Sequence, residues 1–256
     1  MNQLEAAGPL PDLVAESRRV LTAARQRGVV VRLAGGLAIH HLCPAAGTPP
    51  LSRPYADLDL AIAGNGAHRP LIDLMLGLGY QPEAMFNALN GSTRLKFNDS
   101  VNTRHVDVFV NAVRMCHVID FKERLELFED TLTPADLLLT KLQIVELNDK
   151  DVLDVMALLH DQELEKGEGE AVGIDTGYLE NVWGEDWPLW RTCQLTLDKI
   201  RRAAPTIVEA DASTRILKSV VAVQSILESG RKSLRWKLRA RVGERIRWYE
   251  LPEEDG

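Results

Sequence analysis

The spacing of apolar residues changes period several times along the chain, and each change predicts an element. From Leu10 to Arg27, Leu13, Val14, Val20, Leu21 and Ala24 recur at helical spacing, and Gly28 supplies the stop. Val29-Val30-Val31-Arg32-Leu33 is a β-branched run, read as a buried strand. Ala34-Gly35-Gly36 follows, then a helix over Leu37–Leu42. Pro44 to Pro54 carries four prolines, which remove donors and fix φ, so this stretch is a loop. Asp57 to Ala63 alternates polar and apolar with period two, the mark of a strand with one face on the core. A helix over Arg69–Leu78 ends at Gly79. Asn90-Gly91 sits between Ala84–Leu89 and Ser92–Phe97 and predicts a hairpin, because both residues tolerate positive φ. His105–Val110 alternates again.

Beyond this point the pattern turns helical. Thr133-Pro134-Ala135-Asp136 combines a capping hydroxyl, a proline at the first helical position and an acid in the first turn, predicting a helix to about Leu147. Asn148-Asp149 caps a second, Lys150–His160. The Glu- and Gly-rich stretch 161–177 reads as a linker, and helical patterns follow near Gly177–Val182, Trp187–Ala203 and Ser213–Glu228. The expected organisation is an α/β (α+β) domain over 1–160 with a mixed sheet and flanking helices, a linker at 161–177, and an all-helical region over 178–256 ending in a basic tail.

Composition narrows the class. With 256 residues, 45% hydrophobic and 26% charged, the chain has material for a sizeable core. A net charge of −7 argues against a surface basic all round, though not against a local basic face. Cys43, Cys116 and Cys193 are odd in number and form no CxxC spacing, as expected in a reducing cytoplasm. The start lacks a signal-peptide pattern, and no apolar run approaches the roughly 20 residues of a membrane span. A cytoplasmic protein without a membrane partner is expected.

The residues with chemical potential are Gly35-Gly36, Asp57-x-Asp59 and Asp107. Residues 57 and 59 share strand parity, so both side chains leave one face. Two such carboxylates repel each other unless a cation joins them, and magnesium prefers oxygen donors while leaving positions for phosphate oxygens. A third carboxylate on a neighbouring strand could hold a second metal or take a proton. A diglycine turn bares backbone amides at a helix N-terminus, where a triphosphate can approach. Taken alone, an Asp-x-Asp at a strand start is more often a solvated edge; the order of the elements changes that balance.

That order resembles the nucleotidyltransferase superfamily typified by DNA polymerase β. It is most similar to AbiEii-type and small-molecule (aminoglycoside, lincosamide) nucleotidyltransferases. The likeness rests on LAGGLAIHHL at 33–42, SRPYADLDLAI at 52–62, HVDVFV at 105–110 and the segment 133–159. The resemblance implies a nucleotidyltransferase-type fold and transfer of a nucleoside monophosphate from an NTP to a hydroxyl. In that scheme Asp57, Asp59 and Asp107 bind Mg²⁺ (or Mn²⁺) and catalyse, while Gly35, Gly36, Arg53 and Lys141 hold the nucleotide. The implied acceptor is a small molecule, a tRNA 3′ end or a protein, and an antitoxin is a candidate partner. The alternative is an inactive nucleotide-binding member of the fold acting as an interaction protein. Three features depart from the pattern: twenty residues separate Gly36 from Asp57, Gly36 stands where many members carry serine, and Ala56 precedes Asp57.

The remaining candidates read more plainly. Asp151 and Asp154, one helical turn apart, are expected on an exposed face. His105 shares a strand face with Asp107, although a structural role is the expectation. Arg231 to Tyr249 interleaves arginines with Trp236, Trp248 and Tyr249, a pattern that can grip RNA. The reading preferred here is a helix whose Leu234, Leu238 and Val242 face the core while its arginines snorkel.

Overall fold

The structure, a computed structural model, describes residues 8–167 and 173–251. Residues 168–172 of the expected linker, the Pro-Glu-Glu-Asp-Gly end of the tail and the first seven residues, on which the signal-peptide reading rests, lie outside the described part. The chain forms two compact units. The first takes the residues up to His41, Pro54–Val113 and Asp120–Leu132; the second takes Leu42–Arg53, Arg114–Ile119 and the residues from Thr133 onward. The division therefore does not follow the expected boundary at 161–177. The helices of 133–160 group with the C-terminal helices, and so does the proline-rich loop.

In the first unit, Asp12 caps helix α1 (Leu13–Gln26) by accepting from the Ala15 amide at 2.7 Å. Strand β1 is confined to Arg32–Leu33, shorter than the valine run suggested. Helix α2 (Gly35–Leu42) begins on the diglycine itself. Then follow β2 (Leu58–Ile62), α3 (His68–Gly77), β3 (Gln81–Pro82), α4 (Ala84–Asn90), β4 (Arg94–Asp99) and β5 (Arg104–Val110). The five strands form one mixed sheet in the order β1-β2-β5-β4-β3, with β2 and β5 parallel and the other pairs antiparallel. Leu58, Leu60, Leu95, Phe97, Val106, Val108 and Val110 are buried, whereas Asp59, Arg94, Lys96 and Asp107 between them are only partly covered. Period-two alternation has sorted the sheet into an apolar face and a charged face.

The expected hairpin at Asn90-Gly91 is not there. Ala84–Asn90 is a helix, and Gly91 has the right-handed φ of −58°. The hairpin joins β4 to β5, turning through Thr103 at φ 56°. Its chemistry lies in Asp99, a buried carboxylate that accepts from the amides of Val101 and Asn102, both at 3.0 Å, and pairs with Arg104. These bonds form an Asx-type turn that does the work expected of Asn-Gly. A second buried set, Glu16 with Arg19 and Tyr80, lets α1 pair its only deeply buried acid.

The two-stranded ribbon of β6 (Ala112–Arg114) and β7 (Val118–Asp120) precedes the helices. In the second unit, Thr133 caps α5 (Pro134–Leu142), its hydroxyl accepting from the Asp136 amide at 3.1 Å, and the helix ends five residues before the expected Leu147. Asn148 caps α6 (Asp149–Asp161), accepting from the Asp151 amide at 2.9 Å. A short parallel pair, β8 (Leu164–Glu165) with β9 (Ile174–Asp175), leads into α7 (Thr176–Glu185), α8 (Trp187–Ile207), α9 (Ala210–Ser229) and α10 (Leu234–Val242). Trp183, Leu197, Ile200, Ile216, Val220 and Val223 fill the core of this unit. The expected apolar stripe of the tail does not face it. Leu234 and Leu238 are exposed, and α10 buries no residue. The tail is held instead by ring contacts, Trp236 on Trp190 at 5.2 Å and Trp248 on Trp187 at 6.2 Å. Among the described residues, no helix is long and apolar enough to cross a membrane.

Asp99 offers a pH test of the hairpin. Burial pushes its pKa up, but the hydrogen bonds from Asn102 and Arg104 outweigh this and hold it below the ordinary value. A depressed folded pKa stabilises above the unfolded value, near 3.9, and that stability is lost as pH falls through the folded value. Asp99→Asn is therefore expected to lower the urea midpoint clearly at pH 7, with the gap to the native chain shrinking below about pH 4. A gap of equal size at pH 7 and pH 3 would count against this role.

Candidate active site

The carboxylates are placed by strand register. β2 runs parallel to β5 with Asp59 opposite Asp107, so the two residues stand side by side across one strand spacing, about 4.8 Å. Directly paired residues share a face, and Lys96 of β4 pairs with Asp107 on its other side. Lys96, Asp107 and Asp59 thus form a row across three strands. Asp57 lies before the first residue of β2 and is exposed.

Gly35 opens α2 immediately beside this row. The Ala34 amide donates to the Asp59 carbonyl at 2.9 Å, which draws the helix start onto the strand. Gly35 has φ +58°, a left-handed conformation, and a Cβ there would run into the Asp59 carboxylate. Two constraints, backbone and steric, therefore both require glycine at this position. Gly36 follows it inside the helix, buried. The first amides of α2 and the positive end of its dipole lie next to an acidic side chain.

Arg94 completes the face. Its Nε donates to Asp107 Oδ1 at 2.7 Å, and its guanidinium lies 5.7 Å from the Phe109 ring centre. Lys96 lies over Phe86, 4.6 Å from the ring centre. His105, on the same strand face as Asp107, hydrogen-bonds through Nδ1 to Asn98 at 2.8 Å. Arg94 and Lys96 were not singled out from the sequence; their parity on a strand pairing with β5 is the signal that would have found them. Among the described residues, no three His, Cys, Asp or Glu side chains stand together as a group able to hold a metal ion. The oxygen donors that fit a hard cation here are the adjacent Asp59 and Asp107, with Asp57 nearby in sequence.

Arg53 and Lys141 belong to the second unit. Arg53 grips Asp154 with both ends of its fork, Nε to Oδ1 at 2.8 Å and Nη2 to Oδ2 at 2.7 Å. Lys141 Nζ lies 2.7 Å from Asp151 Oδ1 and 2.9 Å from Asp154 Oδ2. Burial pulls the Lys141 pKa down, but the charges of Asp154 and Asp151 outweigh it and leave the ammonium with a raised pKa. Asp151 and Asp154 are thus buried, not on the exposed face expected of them. Their partner Arg53 lies about a hundred residues away in sequence, where helical periodicity gives no hint of it.

Two substitutions test these placements. Gly35→Ala is expected to cost more stability than Gly28→Ala. Both glycines have φ near +60°, but a Cβ at Gly28 meets nothing within 4 Å. Strain alone accounts for about 1–3 kcal/mol at each, and the clash with Asp59 adds to it only at Gly35. Equal urea midpoints for the two variants would refute the close approach. Asp154→Asn leaves Arg53 and Lys141 with one carboxylate between them, and the expected loss is about 3–5 kcal/mol. An unfolding midpoint within error of the native one would mean that the network is not closed in solution.

Comparison of the chain with protein-family models, with curated proteins and with solved structures finds no match.

Proposed function

We propose that this protein is a metal-dependent nucleotidyltransferase, moving a nucleoside monophosphate from an NTP onto an acceptor hydroxyl with release of pyrophosphate. The observation that carries the reading is the in-register pair of Asp59 and Asp107 with the Gly35 helix start built against it. In this proposal Asp57, Asp59 and Asp107 hold Mg²⁺ or Mn²⁺. When bound, the cation supplies charge neutralisation at the phosphates and lowers the pKa of the attacking hydroxyl. The mixed sheet with α2 entering beside β2 supports an arrangement of nucleotidyltransferase type.

The chain's own residues have distinct tasks in this scheme. The amides of Gly35 and Gly36 face phosphate oxygens, and the missing Cβ at Gly35 lets the Asp59 carboxylate stand beside them. Asp107 accepts the proton of the acceptor hydroxyl. Arg94 keeps the Asp107 carboxylate oriented for that transfer. Arg53 and Lys141 enter the scheme through the resemblance alone. Their charges are matched by Asp151 and Asp154, so either would hold a phosphate only by releasing a carboxylate.

A second reading rests on the Arg94–Asp107 ion pair: a protein that binds a nucleotide on this face without transferring it, acting through an interaction partner. The two readings separate in one experiment. The protein is incubated with each α-labelled NTP, Mg²⁺, total tRNA and cell extract, and label is sought on an acceptor. Transfer is expected with the native chain, and Asp59→Asn is expected to lower it by at least 100-fold, about 2.7 kcal/mol of transition-state stabilisation. NTP binding with no labelled product under any acceptor would leave the second reading standing and sink the first.

A further inference from the structure

The second unit has a cleft that the proposed chemistry does not use. It encloses about 480 Å³, within the range of small-ligand sites. Its walls come from the 114–118 turn, the start of α8, Arg239 of α10 and the segment 247–250. These walls are tied together. His117 hydrogen-bonds through Nε2 to the Thr192 hydroxyl at 2.8 Å, and Trp248 Nε1 donates to the same oxygen at 3.1 Å. The Glu250 amide donates to the Cys116 carbonyl at 3.1 Å. One threonine hydroxyl therefore fixes two walls at once.

The charged groups divide by whether they are already engaged. Arg239 donates to the carbonyls of Gly243 and Ile246 and lies over the Trp187 ring, so its role is structural. Asp186 caps α8, accepting from the Leu189 amide at 2.9 Å. Arg247 lies 4.9 Å from the Tyr249 ring centre. Among the described residues, neither Arg114 nor Arg247 pairs with a carboxylate. Both are exposed at the cleft, as is Glu250. Trp248 and Tyr249 meet edge to face at 5.2 Å beside them.

We propose that this cleft binds a nucleoside monophosphate, its phosphate held by Arg114 and Arg247 and its base packed against Trp248 and Tyr249. Each part of that ligand has a match. A guanidinium fork suits phosphate oxygens. An aromatic ring stacks a base with little sequence preference. The Glu250 carboxylate can accept from an exocyclic amine. Inorganic phosphate would use only the arginines, and a nucleoside only the rings. The site is built from other residues than the carboxylate face and needs no metal.

The test is calorimetric titration of AMP, CMP, GMP and UMP into the full chain with EDTA present. Saturable binding of at least one is expected, tighter by at least 10-fold than that of inorganic phosphate or of the matching nucleoside. Arg114→Gln with Arg247→Gln is expected to weaken it by at least 10-fold, and Tyr249→Ala by several-fold. Asp59→Asn should leave it unchanged. Both arginines are exposed, so unfolding midpoints equal to the native one will show that the variants remain folded. The proposal is overturned if none of the four binds, or if binding survives the double arginine variant. Loss of binding in Asp59→Asn alone would equally overturn it, by assigning the nucleotide to the carboxylate face. Absence of NTP transfer, by contrast, leaves it standing.

Discussion

The parallel pairing of β2 with β5 constrains everything else in the first unit. A parallel neighbour must be reached by a crossover, and here the chain between the two strands supplies α3, α4, β3 and β4. Once Leu58, Leu60, Val106 and Val108 are committed to the core, parity sends Asp59 and Asp107 to the opposite face. The register then sets them side by side rather than two residues apart. A slip of either strand by one residue would turn its carboxylate into the core, which is far costlier than any local strain it could relieve. The acidic pair is thus fixed by apolar residues that never touch it. Arg94 and Lys96 arrive by the same rule through the antiparallel pairing of β4, and the like charges of the aspartates are offset by neighbours on their own face.

How much of this could be read from the sequence follows from how local each signal is. The strands at 58–62 and 104–110 were legible because period two is a property of a few consecutive residues. So were the caps at Thr133 and Asn148, where a side chain meets an amide three residues on. The hairpin was misplaced because Asn90-Gly91 serves equally well as a helix end. What decides between the two is Asp99, whose value as a turn former depends on Arg104 being there to pair with it. The Val29–Val31 run is partly buried without joining the sheet, since β-branched residues favour an extended chain whether or not a strand partner exists. The tail misled in a similar way. Leu234 and Leu238 look like core residues by spacing, but Trp236 and Trp248 have the larger surface to bury and set its orientation.

Of the candidate site, the side-by-side placing of Asp59 and Asp107 was legible, whereas Asp57 falls before β2 instead of on it and the ion partners of the carboxylates were not legible. Charge pairs between distant segments leave no periodic trace, so Arg94 on Asp107 and Arg53 on Asp154 emerge only from the fold. The same holds for the cationic cleft residues Arg114 and Arg247, which are 133 positions apart. A net charge of −7 says little about such places, because it averages over a surface where Arg114 and Arg247 meet at one cleft.

The unit boundary follows from the buried ion network. A network of two cations and two carboxylates gains little net stability over apolar packing of the same volume, because desolvation consumes most of its Coulomb energy. What it does supply is specificity, since breaking any member strands a buried charge. Arg53 stands at the end of the proline-rich segment, Lys141 on α5, and Asp151 and Asp154 on α6. The Ala45 amide adds a second tie from the same segment, donating to Asp161 at 2.7 Å. The twenty residues between Gly36 and Asp57 are therefore not slack in an otherwise compact motif. Twelve of them, Leu42–Arg53, are a part of the helical unit, inserted between the two sequence elements that build the carboxylate face, and Arg53 fixes the point at which the chain leaves that unit for β2.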